Sequence, residues 1–217
     1  MKIEYIKHSC FLLTTQQGVK ILIDPVNWDK DAPLNLRPDV ILLSHQHSDH
    51  SNLSLAGGAA EIIYGAGSHF AEGIPIKGFT ADHGEHLGKW LGMVVCYRID
   101  IDGIRCLHLS DMGVLPSNDE IKEMSEDVDI LFIPVGGVWT LDPMEAAQLA
   151  VQIKPKVIIP MHYYYPGTPQ GTFPMHSVDE FLKEQDNIKI KIIRESFCKL
   201  SLENLPQEEI WVITPMY

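Results

Sequence analysis

The chain's most informative segment is residues 44–50 (SHQHSDH), which holds four potential metal ligands directly after an apolar, strand-like run. In an extended segment His45 and His47 project to the same side, so both imidazoles can reach one ion. Asp49 and His50, at an expected helix start, can turn toward a second ion. Imidazole nitrogen together with carboxylate oxygen suits zinc, manganese or iron better than calcium or magnesium. The spacing therefore predicts a metal site.

Strand-like segments that could position such a site recur along the chain. They lie at residues 2–6, 10–14, 19–23, 40–43, 61–64, 74–81, 93–101, 104–109, 128–135, 157–161 and 188–193. Two helix starts are indicated by Asp142 with Glu145 and by Ser177 with Glu180, because each pair fits a capping box. Sheet segments interrupted by helices predict an α/β layered fold. With no repeat and no linker, we expect one domain spanning residues 1–217.

Charge and hydropathy limit the classes of partner. With 17 Lys and Arg against 29 Asp and Glu, the net charge is -12, so a basic surface for long nucleic acid is not expected. The apolar runs fall far short of the roughly 18 residues that a membrane span needs. No apolar signal region follows Met1, and the four cysteines show no paired spacing, so we expect a cytoplasmic protein with reduced, buried thiols.

The HxHxDH pattern of residues 45–50 resembles the signature of the metallo-β-lactamase superfamily. The resemblance implies a four-layer αββα sandwich that commonly holds two metal ions. It implies that His83 joins His45 and His47 at a first ion. It also implies that His162 joins Asp49 and His50 at a second. Asp111 would bridge the two ions, and Asp24 would support the histidine loop from behind.

Further segments resemble a compact branch of metal-dependent hydrolases that includes L-ascorbate 6-phosphate lactonase. They are His8-Ser9, residues 134–137 and residues 154–163. This likeness suggests that His8 acts in the pocket, binding substrate or donating a proton from beside the metals. Asp111 stands where zinc β-lactamases usually have cysteine, which argues against that activity.

The resemblance thus predicts a dinuclear hydrolase whose metal-bound hydroxide attacks a carbonyl or phosphoryl centre, with Asp49 also able to orient that hydroxide. Two divalent ions against Asp49, Asp111 and hydroxide leave a charge of about +1, which favours a small anionic metabolite such as a lactone or phosphorylated compound. The alternatives are a small-molecule phosphodiesterase, a di-iron oxidoreductase and a non-catalytic metal-binding protein. Zinc is the default metal, with manganese or iron as alternatives.

Several residues around the expected ligands are candidates for the pocket wall. His86 lies three residues after His83 and could compete with it as a ligand or line the pocket instead. Trp139 and Tyr163 adjoin the matched segments, and the loop at residues 166–174 is long enough to border a pocket. Exposed sheet edges in such a fold would also permit a homo-oligomer.

Overall fold

The computed structural model describes residues 1–26, 36–55, 57–166, 168 and 174–216. Within these residues the α-helices are α1 (Asn118–Met124), α2 (Pro143–Ile153) and α3 (Val178–Lys183). The strands are β1 (Lys2–Lys7), β2 (Cys10–Thr14), β3 (Lys20–Ile23), β4 (Val40–Leu43), β5 (Glu61–Tyr64), β6 (Gly67–Ala71), β7 (Ile74–Asp82), β8 (Glu85–His86), β9 (Lys89–Trp90), β10 (Met93–Ile101), β11 (Ile104–His108), β12 (Ile130–Pro134), β13 (Val157–Met161), β14 (Lys189–Ile193), β15 (Phe197–Lys199) and β16 (Glu209–Ile213).

The strands form two large sheets that face each other across the main core. The first sheet has the order β15-β1-β2-β3-β4-β5, and the second has the order β14-β16-β13-β12-β11-β10-β7-β6. Phe11 of the first sheet packs edge-on against Phe132 of the second, with ring centroids 4.7 Å apart. The helix α2 packs against β12, and both α1 and α3 pack against α2. The predicted αββα sandwich is confirmed by this layering of sheets and helices.

Alternation along the first sheet shows that both of its faces are buried. In β2, Phe11 and Leu13 point into the core between the sheets, whereas Cys10 and Leu12 belong to a second apolar cluster. Successive side chains of a strand point to opposite faces, so this second cluster lies on the outer face of the sheet. Met216 packs against it. A strand buried on both sides reads as a continuous apolar run, which is why residues 10–13 are all hydrophobic.

Strand direction brings the proposed ligands to one edge. In the first sheet β1 and β3 are both antiparallel to β2, and β4 is parallel to β3, so all three end at the same edge. In the second sheet β7 and β11 are both antiparallel to β10, and β12 and β13 are parallel to β11. Residues distant in sequence therefore meet where these strands end.

Left-handed backbone conformations mark four of these strand ends. The φ angle is 57° at His8, 45° at Asp24, 50° at Ser110 and 50° at His162. This conformation costs a non-glycine residue about 1–2 kcal/mol, because Cβ crowds the following carbonyl. Such strain is characteristic of functional sites, where the surrounding structure holds it in place. Each of the four residues lies one or two positions beyond the last residue of its strand.

The expected helix start at Asp49 and His50 is wrong. The chain turns there, with the His50 amide donating to the His47 carbonyl, and then forms only the 3-10 helix Leu53–Leu55. The physical reason lies in Asn52, whose Oδ1 accepts hydrogen bonds from the amide and the hydroxyl of Ser54. Such local side-chain bonds compete with a continuous helix.

Most of the predicted elements are confirmed, and α2 and α3 begin directly after Asp142 and Ser177. The strands at residues 10–14, 40–43, 61–64, 93–101 and 157–161 have the predicted bounds. Several short elements were not predicted, namely α1, β6, β8, β9, β15 and β16.

Gly113→Ala tests the close approach of two strand ends at the site. A Cβ at residue 113 would lie 2.0 Å from the His83 carbonyl oxygen, so the β7 and β11 ends must separate. We expect a loss of about 1–3 kcal/mol in the free energy of unfolding, measured by urea denaturation. The control Gly18→Ala adds a Cβ in open space at a φ of 92°. It should therefore lose only about 1–2 kcal/mol to left-handed backbone strain. The Gly113→Ala clash is with a backbone atom that cannot rotate away, so its loss should be at the upper end of the range, and a loss no larger than that of Gly18→Ala would contradict the steric explanation.

Candidate metal centre

The first group of ligand atoms consists of three imidazoles. The Nε2 atom of His45 lies 3.0 Å from Nδ1 of His47, and Nε2 of His83 lies 3.3 Å from the same Nδ1. Atoms that bind one ion at about 2.1 Å are roughly 3–4 Å from one another, so these separations fit a shared ion. His45 and His83 are buried, whereas His47 is exposed. The group therefore has one open side.

The second group is buried throughout and contains His8, His50, Asp111 and His162. The Oδ2 atom of Asp111 lies 2.9 Å from Nε2 of His50 and 3.3 Å from Nε2 of His162. The four side chains come from the ends of β1, β11 and β13 and from the turn after β4. A mixed set of nitrogen atoms and one carboxylate is typical of zinc, manganese or iron sites.

Asp111 lies between the two groups. The same Oδ2 atom is 3.8 Å from Nε2 of His83 and 4.0 Å from Nε2 of His45. The other oxygen, Oδ1, accepts a hydrogen bond of 3.1 Å from the Ser9 hydroxyl. One carboxylate is thus oriented by Ser9 and faces imidazoles of both groups, as a bridging ligand would have to.

Asp24 is fully buried behind the imidazoles and contacts four polar groups of neighbouring residues, namely one backbone amide, two hydroxyls and one imidazole. Its Oδ1 accepts from the Ser44 amide at 2.8 Å, and its Oδ2 accepts from the hydroxyls of Ser44 and Ser110 at 2.8 and 2.9 Å. Nδ1 of His50 lies 3.1 Å from the same Oδ2. The Ser44 hydroxyl also lies 2.8 Å from Nδ1 of His45. Asp24 therefore fixes the orientation of histidines in both groups, which is the expected supporting role.

Burial keeps several imidazoles neutral. Desolvation lowers the pKa of His8 and of His45 to about 4, and it also lowers that of His83. Neutral rings at pH 7 retain the lone pairs with which they bind metals. His50 differs: burial opposes its protonation, but Asp111 and Asp24 raise its pKa well above the usual value. An ion at this group would therefore displace a proton from His50.

Asp49, an expected ligand, belongs to neither group of ligand atoms. Its side chain is 40% exposed, and its Oδ2 lies 3.4 Å from Nε2 of His8. The proposed pocket residues lie farther out or are buried elsewhere. His86 lies outside both groups, with its ring centroid 5.3 Å from that of Trp139. Tyr163 is buried, and its ring lies near those of Tyr5 and Tyr165. The loop at residues 166–174 lies largely outside the described residues.

Three serines that hold the site together were not singled out from the sequence. They are Ser9, Ser44 and Ser110, and all three are buried. Each directly adjoins His8, His45 or Asp111 in the chain. That adjacency was the available signal, because a hydroxyl beside a ligand at a strand end can reach the carboxylate of a neighbouring strand.

Comparisons of this chain with known protein families and sequences agree with this geometry. The family model described as "Beta-lactamase superfamily domain" matches residues 2–162. A UPF0173 metal-dependent hydrolase of Thermoplasma acidophilum is 32% identical over 190 residues, covering 75% of this chain and 83% of that protein. Another from Thermococcus onnurineus is 27% identical over 191 residues, covering 75% and 84%.

A solved structure from Thermotoga maritima is described as a member of the metallo-β-lactamase superfamily. It superposes with a TM-score of 0.77 at 29% identity and covers 99% of both chains. The chain belongs to the metallo-β-lactamase superfamily. The prediction of a metal-dependent hydrolase of this superfamily is confirmed at that level.

Within the described residues, no helix has the length and apolar character needed to span a bilayer.

Asp24→Asn tests the role of the buried carboxylate. Removing its charge leaves His50 and two serine hydroxyls with a poorer acceptor, so we expect a loss of about 3 kcal/mol in the free energy of unfolding at pH 7. Chemical denaturation measures it. The exposed control Asp186→Asn should change stability by less than about 0.5 kcal/mol.

The loss of stability in Asp24→Asn should also depend on pH. Burial raises the pKa of Asp24, but the hydrogen bond and charge of His50 outweigh it, so the folded-state pKa is lowered. The stabilisation is therefore complete above the unfolded-state pKa of about 4 and is lost as pH falls through the folded value. The stability gap between wild type and Asp24→Asn should narrow on acidification. A gap independent of pH would show that ionisation of Asp24 is not the cause.

Proposed function

We propose that the chain is a dinuclear hydrolase acting on a small anionic metabolite, a lactone or a phosphorylated compound. The observation that carries the proposal is the position of one Asp111 oxygen within 4.0 Å of imidazoles from both groups. The first ion would be held by His45, His47 and His83. The second would be held by Asp49, His50 and His162, with Asp111 between the two. Zinc is the default, and manganese or iron also suit these ligands.

The chemistry divides between the ions and the protein. When bound, the two ions supply a hydroxide at neutral pH and polarise the substrate oxygen. Asp111 keeps its charge inside the protein, because His162 and His50 lower its pKa well below normal against the opposing effect of burial. Ser9 fixes the direction of this carboxylate. The chain thus contributes a preorganised site that needs little rearrangement during the reaction.

Asp49, in addition to its role as a ligand, and His8 are the residues that we assign to catalysis. The Asp49 carboxylate is partly exposed, so solvent and substrate can reach it. Burial raises its pKa, but the hydrogen bond from His8 and the charge of His50 outweigh this, so Asp49 is ionised at neutral pH. An ionised carboxylate here can accept a hydrogen bond from the attacking water and orient it.

The substrate class follows from charge. The chain carries a net charge of -12, yet two divalent ions against Asp49, Asp111 and a hydroxide leave the site near +1. A cationic site in an acidic protein favours an anion small enough to enter, because the surrounding surface repels extended polyanions. A small phosphodiester meets the same requirement, so a phosphodiesterase is the nearest alternative.

Asp111→Asn tests the two-ion site. Replacing the shared carboxylate should lower metal content below two ions per chain and reduce kcat/KM by at least about 100-fold. Elemental analysis and steady-state kinetics measure both quantities. The control Cys96→Ala alters a buried thiol that donates to the Leu109 carbonyl, and its metal content and turnover should stay near wild type. Full metal occupancy with unchanged turnover in Asp111→Asn would contradict the assignment.

A substrate panel tests the proposed reaction. Lactones, phosphomonoesters, phosphodiesters and thioesters should be assayed with apo-protein reloaded with Zn²⁺ or Mn²⁺, and chelation should abolish activity. We expect turnover of lactone or phosphorylated substrates that returns when metal is restored. Selective turnover of diesters would establish the phosphodiesterase alternative. Redox activity with bound iron, or no turnover at full occupancy, would overturn the hydrolase proposal.

A further inference from the structure

His8 lies inside the second group of ligand atoms and not at its margin. One nitrogen of His8 is within 4.8 Å of ligand atoms from His50, Asp111 and His162, and all four side chains are at most 4% exposed. The His8 ring centroid is 3.8 Å from that of His162 and 5.2 Å from that of His50. Three imidazoles therefore surround one carboxylate in a space closed to bulk solvent.

The backbone around His8 is fixed by bonds to the same site. The His8 carbonyl accepts from the Tyr5 hydroxyl at 2.8 Å and from the His162 amide at 3.1 Å. The next residue, Ser9, donates to Asp111 and accepts on its carbonyl from His108 at 2.9 Å. These bonds tie the end of β1 to the ends of β11 and β13. They hold the His8 ring in place at the cost of a left-handed φ of 57°.

We propose that His8 is a protein ligand of the second ion, in addition to the residues that the superfamily motif implies. The inference rests on the proposed two-ion site. Nε2 of His8 lies 3.4 Å from Oδ2 of Asp49, a separation that two ligands of one ion show. In this assignment His8 and Asp49 act on the reaction through the ion that they share.

The assignment predicts a difference between the two ions. The first ion would have three imidazoles and the shared Asp111, which matches the usual four ligands of zinc. The second would have the four residues of its group, and Asp49, whose Oδ2 lies 3.4 Å from His8, would be a fifth ligand. Five exceed the usual four ligands of zinc, whereas manganese and iron accept six. The second position should therefore prefer Mn²⁺ or Fe²⁺, and the first should prefer Zn²⁺.

The direct test is a crystal of the wild-type protein loaded with Zn²⁺ and Mn²⁺, with anomalous scattering recorded at both absorption edges. We expect a His8 nitrogen within about 2.3 Å of the second ion, and a manganese signal at that position. An ion in this group with His8 more than 3 Å away would overturn the inference, even if the metal site itself is present. Because this measurement uses the wild type, it does not depend on a variant that folds.

His8→Ala provides the matched solution test. After chelation and reloading with Mn²⁺, the variant should bind the second ion at least about tenfold more weakly than wild type. X-ray absorption should also count one imidazole fewer per chain. The control His69→Ala removes a histidine of β6 that bonds to the Gly65 carbonyl, and it should bind like wild type. Thermal denaturation of the apo forms checks folding.

The outcomes separate this inference from the proposed function. If wild type holds two ions and His8→Ala holds both with unchanged affinity and imidazole count, the ligand assignment fails and the dinuclear site stands. If wild type itself binds fewer than two ions in these groups, the two-ion proposal fails and the His8 assignment fails with it. Weakened binding with an unchanged imidazole count would assign His8 a positioning role and overturn the ligand proposal.

Discussion

The structure depends on one buried carboxylate oxygen that is shared by imidazoles from both sheets. Oδ2 of Asp111 lies within 4.0 Å of nitrogens from His45, His50, His83 and His162. A buried anion is costly unless cations or hydrogen-bond donors compensate it. Here His50, whose pKa is raised, supplies this compensation, and metal ions in the two groups would supply more. This requirement accounts for the Ser9 hydroxyl that donates to Asp111.

The sequence was sufficient wherever the signal is local or repeated. The spacing of the ligands in residues 45–50 was enough to predict a metal site. The core strands were predicted from apolar runs such as residues 157–161, which pair in parallel with a strand on each side. The helix α2 was predicted from its capping pair because Asp142 and Glu145 satisfy each other's backbone amides. In each case the signal, an apolar run or a capping pair, lies within a few residues of chain.

The features that the sequence did not predict depend on contacts between residues far apart in the chain. Ser9 gains its role only because β1 ends beside Asp111, 102 residues further along the chain. The strand β16, which lies between β14 and β13, was missed, although its sequence EIWVI is typical of a strand. The helix α1 was also missed, although Ser117 and Glu120 form a capping box there. The place of His8 among the ligand atoms depends on how two sheets pack, which spacing along one chain does not encode.

The central claim is that two groups of side chains from opposing sheets hold a pair of ions around one carboxylate. The most direct measurement is an anomalous difference map from a metal-loaded crystal, combined with elemental analysis of the same protein. The account predicts two peaks about 3.5–4 Å apart, one among His45, His47 and His83 and the other beside His50 and His162. Peaks elsewhere, or a fully loaded protein with only one peak in this region, would contradict it.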